Sequence, residues 1–212
     1  FFIKNKTYLE NQIHFGLMGK WEERKNTAQI IRSWAKKYGN NYKYQLTCCV
    51  TNPFISPKKL SQLIKDTLEG KNYGNINFLP FLKTNSEVND YLNSIDIDLT
   101  GLSGAEGWNL PAFNATALGK WSIVLNHTSH KDWATEKNCI LVEPEGTCDI
   151  EDGVFFQKDS SFNQGLKYTV SDETIINKME IAESFRHNNE EGKKLQEVYT
   201  YTKTLKQLLS II

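Results

Sequence analysis

From Ile13 to Val142, short apolar runs rich in β-branched and aromatic residues alternate with segments of helical spacing. Parallel strands need long crossovers between them, so this alternation predicts a parallel sheet with helices packed on it. The expected strands are Ile13–Met18, Tyr44–Val50, Ile76–Leu79, Ile95–Leu99, Ser122–Leu125 and Cys139–Val142. Helices are expected at about Lys25–Tyr38, where Ile30, Ile31, Trp34 and Ala35 share a face, at Pro57–Leu68 and at Pro111–Leu118. Gly39 and Asn40 end the first of these helices, and Pro57 suits the first turn of the second. A capping-box pattern places Ser86 as the cap of a short helix through Tyr91 and Leu92.

The fold class is therefore α/β: a Rossmann-like, doubly wound parallel sheet of about six strands with helices on both faces. Beyond Asp152 the alternation stops, and helices are expected from about Asp172 to His187 and from about Gly192 to Leu209. Leu195, Val198, Tyr201, Leu205 and Leu208 give the last helix an apolar stripe, expected to pack onto something apolar. The domain reading is one Rossmann-like unit over residues 1–190 with a C-terminal helix over 191–212. A chain of 212 residues suffices for one good core and has no room for a second full domain.

Lysine plus arginine and aspartate plus glutamate each total 25, so the charge balance points to neither nucleic acid nor an anionic membrane. Cys48, Cys49, Cys139 and Cys148 fit neither a disulfide scaffold nor a zinc site, and read as free thiols in a reducing compartment. No run reaches the length of a membrane span, and no signal peptide is visible at the start. The expected location is cytoplasmic. The abrupt opening at Phe1 and Phe2 reads as the start of a piece cut from a longer protein.

The segment SGAEGWNLPAFNATALGKW, Ser103–Trp121, places Glu106 and Gly107 in a turn between a strand and a helix. Ligand crevices of open parallel sheets lie at the carboxyl ends of the strands, and a helix starting there offers unpaired N–H groups to a phosphate. Gly107, lacking Cβ, lets a diphosphate approach the backbone. A carboxylate would be repelled by phosphates, so Glu106 suits sugar hydroxyls, and Asn114, two helical turns on, suits ribose hydroxyls. After the first strand, GKWEERKN brings Lys20 and Lys25, with Arg24 between them, to the same edge; two cations there can stabilise a leaving diphosphate without a metal. His127 and His130 stand on an irregular segment without a cysteine or aspartate cluster, a poor metal-ligand set. The sequons at Asn114 and Asn126 fall at the proposed site and at a strand end, where a glycan hardly fits.

EGWNLPAFN resembles the E-G-F-G-L-P-x-x-E signature of the retaining GT-B glycosyltransferases called group 1 or family 4, and GKWEERKN resembles their G-R-L-x-x-x-K-G segment. The likeness runs from about Ile13 to Gly153 and keeps the order and separation of both motifs. It implies that Glu106 positions the donor sugar, that the Gly107, Trp108, Asn109 and Leu110 backbone meets the diphosphate, and that Lys25 binds the diphosphate. Lys20 stands in place of an arginine and loses its bidentate fork. Asn114 replaces the second motif glutamate, and Phe81 and Leu82 fall where such proteins hold the base. The implied catalytic group is thus Glu106, Lys25 and Lys20; the implied donor site adds Gly19, Phe81, Leu82, Ser103, Gly107, Trp108, Asn109, Leu110 and Asn114.

The resemblance further implies a nucleoside-diphosphate sugar as donor, no metal or other cofactor, and retention of configuration. It implies an absent N-terminal acceptor domain as partner, through which alone a peripheral membrane association would arise. The terminal helix resembles the one that crosses back to that domain. The departure at Asn114 favours an alternative, a non-catalytic nucleotide-sugar-binding module. A dinucleotide oxidoreductase is disfavoured, because GLMGKW stands where G-x-G-x-x-G would follow the first strand.

Overall fold

The computed structural model describes residues 1–151, 156, 157, 159–162 and 165–211. Asp152 and Gly153, where the alternation and the resemblance were expected to end, lie outside these residues, as does Ile212. Six parallel strands form the central sheet: β1 (Ile13–Lys20), β2 (Tyr44–Thr51), β3 (Ile76–Phe78), β4 (Ile97–Asp98), β5 (Trp121–Leu125) and β6 (Cys139–Val142). Their spatial order is β3-β2-β1-β4-β5-β6. The winding reverses between β1 and β4, and in open parallel sheets such a switch point is where ligands bind, at the carboxyl ends of the strands.

Successive strand residues face opposite sides, and each side has its own core. Phe15, Leu17, Leu46, Ile97, Ile123 and Leu125 pack with Ile30, Ile31 and Trp34 of α1 (Thr27–Tyr38), Leu60 and Leu63 of α2 (Pro57–Thr67), and Ile175 and Met179 of α5 (Asp172–Ala182). On the other side, Cys49 and Val124 meet α3 (Asn85–Ser94) and α4 (Leu110–Ala117), through Tyr91 and Leu92 of the former and Ala112 and Ala115 of the latter. Helices thus cover both faces, and the unbroken runs of buried residues in β2 and β5 follow from that double cover. Full burial of each large apolar side chain contributes roughly 1.5–3 kcal/mol. Cys48, Cys49 and Cys139 are buried free thiols and Cys148 is an exposed one.

Several boundaries differ from those expected, for physical reasons. The cap of α3 is Thr84 and not Ser86: Thr84 Oγ1 accepts from the Glu87 N–H, while Glu87 accepts from the Thr84 N–H. Thr84 is the residue with glutamate three positions on, which the reciprocal box requires. Pro57 does open α2, under Ser56 as cap. Residues Glu23–Lys25 form a separate 3-10 turn, and Asn26 takes a left-handed conformation before α1 begins.

The expected C-terminal helix over 191–212 is instead three pieces: α6 (Glu190–Lys193), α7 (Leu195–Val198) and α8 (Tyr201–Leu209). The break comes at Tyr199, whose hydroxyl donates to the Asp132 carbonyl at 2.7 Å, and at Thr200, which caps α8. Of the apolar stripe only Leu195 is buried; Tyr201 is 98% exposed and Leu205 and Leu208 are exposed. The segment expected to be helical to His187 ends at Ala182. A hairpin of β7 (Gly146–Asp149) and β8 (Leu166–Thr169) was not expected at all. No helix among the described residues is long and apolar enough to cross a membrane.

Candidate functional site at the switch point

β1 delivers Gly19 and Lys20 to the carboxyl edge of the sheet, and the following 3-10 turn carries Arg24 and Lys25. β4 is followed by another 3-10 turn, Thr100–Leu102, and then by the loop that leads to α4. Two segments remote in sequence therefore meet across the reversal of the sheet. The Lys25 ammonium is paired with Glu106 Oε1, which also accepts from Ser103 Oγ at 2.8 Å. Arg24 approaches Glu106 Oε2 at 3.5 Å, pairs with Glu22 at 2.8 Å, and donates to the Ala105 carbonyl at 2.6 Å. Burial would raise the Glu106 carboxyl, but Lys25, Ser103 and Arg24 outweigh it and hold the group below its ordinary range. The glutamate side chain is only 9% exposed, yet it remains an ionised acceptor.

The loop bearing Glu106 is clamped from several sides. Gly104 donates its N–H to the Arg24 carbonyl and accepts from the Tyr168 N–H of β8, both at 2.8 Å. A Cβ on Gly104 would lie 2.4 Å from the Tyr168 carbonyl oxygen, so only glycine permits this approach. The unexpected hairpin thus braces the site, and Lys167 of β8 donates to the Glu23 carbonyl at 3.2 Å.

His127 and His130, set aside as metal ligands, hold the same loop. His130 Nδ1–H donates to the Leu125 carbonyl at 2.7 Å, which leaves Nε2 to accept from the Asn109 amide at 3.0 Å. Burial lowers the His130 pKa to about 4, so the ring is neutral and this tautomer is held. His127 Nε2–H donates to the Ser103 carbonyl at 2.8 Å, and its ring stacks on Tyr168 at 4.6 Å; burial lowers it too.

An open cleft of 620 Å³ lies beside this cluster, lined by Gly19, Lys20, Arg24, Lys25, Cys49, Asn52, Phe81, Leu82 and neighbouring residues. Lys20 is half-exposed, 3.9 Å from Glu22, with its ammonium over the Phe54 ring. Gly107 has no atom within 4 Å of where a Cβ would sit, so its surroundings are open to a ligand. Among the described residues, the N–H groups of Gly107, Trp108, Asn109 and Leu110 make no hydrogen bond.

Other expected site residues are placed differently. The Trp108 side chain turns away to pack on Phe113 and Tyr199, and its carbonyl accepts from Trp133. The Asn109 side chain is buried; its Nδ2 donates to the Thr100 carbonyl and to His130 Nε2, while its Oδ1 is buried without a partner among the described residues. Asn114 lies half-buried on α4 and is not among the residues lining the cleft. Sequence reasoning passed over Arg24 as a binding residue and missed the bracing by His127, His130 and Tyr168. The mixed charges of KWEERK do carry a signal for Arg24; nothing in the sequence signals Tyr168, which arrives from the hairpin.

No family model matches the chain, and no curated protein matches it in sequence. Solved structures do match in fold. The C-terminal domain of LpcC, a group 1 glycosyl transferase family protein from Francisella tularensis, aligns with a TM-score of 0.64 at 17% identity, over 87% of this chain and 84% of that one. HepE from Anabaena, in complex with UDP-glucose, aligns with a TM-score of 0.64 at 12% identity, over 96% of this chain and 50% of that one. Sucrose-phosphate synthase from Thermosynechococcus elongatus gives 0.63 at 14% identity, over 96% and 47%. The chain thus spans about half the length of these two proteins. Strand order and double cover together are the fold of the C-terminal domain of a group 1, GT-B-type glycosyltransferase.

Proposed function

We propose that the chain holds the donor in a glycosyltransferase that moves a sugar from a nucleoside diphosphate to a glycan, lipid or protein acceptor, with retention of configuration. The observation that carries this reading is the cluster of Lys25, Arg24, Ser103 and Glu106 across the switch point, beside the free N–H groups of the loop into α4. In this reading the diphosphate sits on the amides from Gly107 to Leu110 and draws Lys25 and Lys20 to its oxygens. Lys25 and Lys20 then disperse the charge of the leaving diphosphate without a metal. Glu106, released from Lys25, accepts hydrogen bonds from sugar hydroxyls and orients the anomeric carbon; it is a donor-positioning group and not a nucleophile. The base lies toward Phe81 and Leu82 on the cleft wall.

HepE was solved with UDP-glucose, so uridine is the first base to test. An acceptor domain preceding this unit, a cytoplasmic location, and membrane contact only through that domain belong to the same proposal. The position of Asn114 outside the cleft lining favours a second reading, a binding module without transfer activity. Calorimetric titration with UDP, GDP and ADP in chelator tests the first step. Saturable metal-free binding of one of them, weakened in Lys25→Ala, supports the donor reading; absence of binding at millimolar nucleotide removes its foundation. The complete enzyme then separates transfer from mere binding.

A further inference from the structure

A second cavity, of 410 Å³, opens at the opposite edge of the sheet, where β1, β4 and β5 begin. Its lining brings Lys4 and Lys6 from ahead of β1, Lys120 from ahead of β5, Arg186 and His187 from beyond α5, and Lys193 from α6. Three of these cations have acidic partners: Lys4 pairs with Asp90 at 2.5 Å, Lys6 with Asp96 at 2.6 Å, and Lys193 with Glu190 at 2.7 Å. Asp96 Oδ2 also accepts from the His14 N–H at 2.9 Å.

Lys120 and Arg186 are different. The Lys120 ammonium is largely buried and its direct partner is a neutral carbonyl, that of Asn93 at 2.8 Å. Arg186 is exposed on the cavity lining and makes neither an ion pair nor a hydrogen bond among the described residues. A sheltered ammonium facing a carbonyl and crowded by other cations is costly to keep charged. Burial lowers the Lys120 pKa to about 8; the Asp96 carboxylate is the next influence and opposes it, and Lys6 and Lys193 add smaller downward pushes. Glu10, also on the rim, has no ion pair among the described residues.

We propose that this cavity binds the phosphate group of a phosphomonoester whose organic part carries hydroxyl groups. Lys120 and the planar fork of Arg186 would take the phosphate oxygens, the chemistry for which arginine and lysine are suited. The volume exceeds what a bare phosphate fills, and Asn5, Asn188 and the His187 ring supply polar contacts for hydroxyls. The site is separate from the donor cleft, because it lies at the amino ends of the strands and shares no lining residue with it.

Glycerol 3-phosphate, with inorganic phosphate as the comparator, is titrated into the chain by calorimetry and by NMR of the lysine side chains. Saturable binding is expected, tighter for the ester, with a rise of the Lys120 pKa, because a bound anion favours the charged ammonium. Arg186→Ala changes an exposed side chain and keeps the fold; it should weaken binding about tenfold, and Lys120→Met at least as much. Glu10→Gln should tighten binding severalfold by removing the opposing charge. UDP binding should be unchanged by all three. Inorganic phosphate binding as tightly as the ester would overturn the ester and leave only an anion site. No saturable binding, or binding that survives Arg186→Ala and Lys120→Met but is lost in Lys25→Ala, overturns the site altogether.

Discussion

The two edges of the sheet use the same residue type in opposite ways. At the carboxyl edge Lys25 is sheltered and faces a carboxylate, Glu106, which is held below its ordinary pKa range. At the amino edge Lys120 is sheltered and faces a carbonyl, and its own pKa falls to about 8. An anion arriving at the first edge must exchange places with an existing partner. An anion arriving at the second fills a charge already missing one. Exchange releases Glu106 for a second task, whereas filling only stabilises what is there, so the first edge suits chemistry and the second suits binding.

Each edge is also braced by a buried neutral histidine, and this gives the largest expected effect. His14 Nδ1–H donates to the Ser94 carbonyl at 2.9 Å and Nε2 accepts from Thr47 at 2.7 Å, while His130 braces the other edge; burial lowers both to about 4. The unfolded chain takes up these protons near pH 6.5, so unfolding binds protons and acid favours it. Stability should be full above about pH 6.5 and fall until about pH 4, by roughly 3 kcal/mol for each histidine. Urea midpoints recorded across that range test this, with His14→Gln and His130→Gln each removing one share of the slope. A flat profile would break the symmetry drawn between the edges.

Next in size is Lys25→Ala, expected to weaken nucleoside diphosphate binding by roughly ten- to a hundredfold, since a charge-assisted contact to phosphate is lost. Glu106→Gln sharpens the idea of exchange, because Lys25 is then free in advance: UDP should bind about tenfold tighter, a difference of about 1.4 kcal/mol, while the added affinity of the sugar disappears. If UDP binds more weakly to Glu106→Gln, the ion pair is structural and no exchange takes place. The smallest effect on the fold belongs to Gly107→Ala, where a Cβ meets nothing within 4 Å. Its denaturation midpoint should stay within about 0.5 kcal/mol of the parent, while nucleotide binding drops severalfold. Unchanged binding would move the ligand away from that amide.

Much of the layer structure was legible because it rests on local period. The strands around Phe15, Leu46 and Ile123 and the helix bearing Ile30 and Trp34 declare themselves by burial spacing. The hairpin was illegible because all four residues of β7 are exposed and its partner strand lies far along the chain. The stripe from Leu195 to Leu208 misled for a related reason: helical spacing records what a segment could bury, and α8 leaves that face open. In the site, Glu106 and Lys25 were read from two motifs, but their pairing spans 81 residues and no spacing rule encodes it. Trp108 and Asn109 sit inside a motif, yet their side chains turn into the surrounding packing.

By itself the amino-acid sequence determined the alternation of elements, the double cover of the sheet and the turns that carry Lys25, Glu106 and Gly107, because periodicity and turn chemistry act between near neighbours. Only the tertiary structure decided which charges meet. The reversal between β1 and β4 joins Lys25 to Glu106, the hairpin closes on Gly104, and the amino edge leaves Lys120 against a carbonyl. Electrostatic pairing depends on distance and burial in space, and neither is written in the order of the residues.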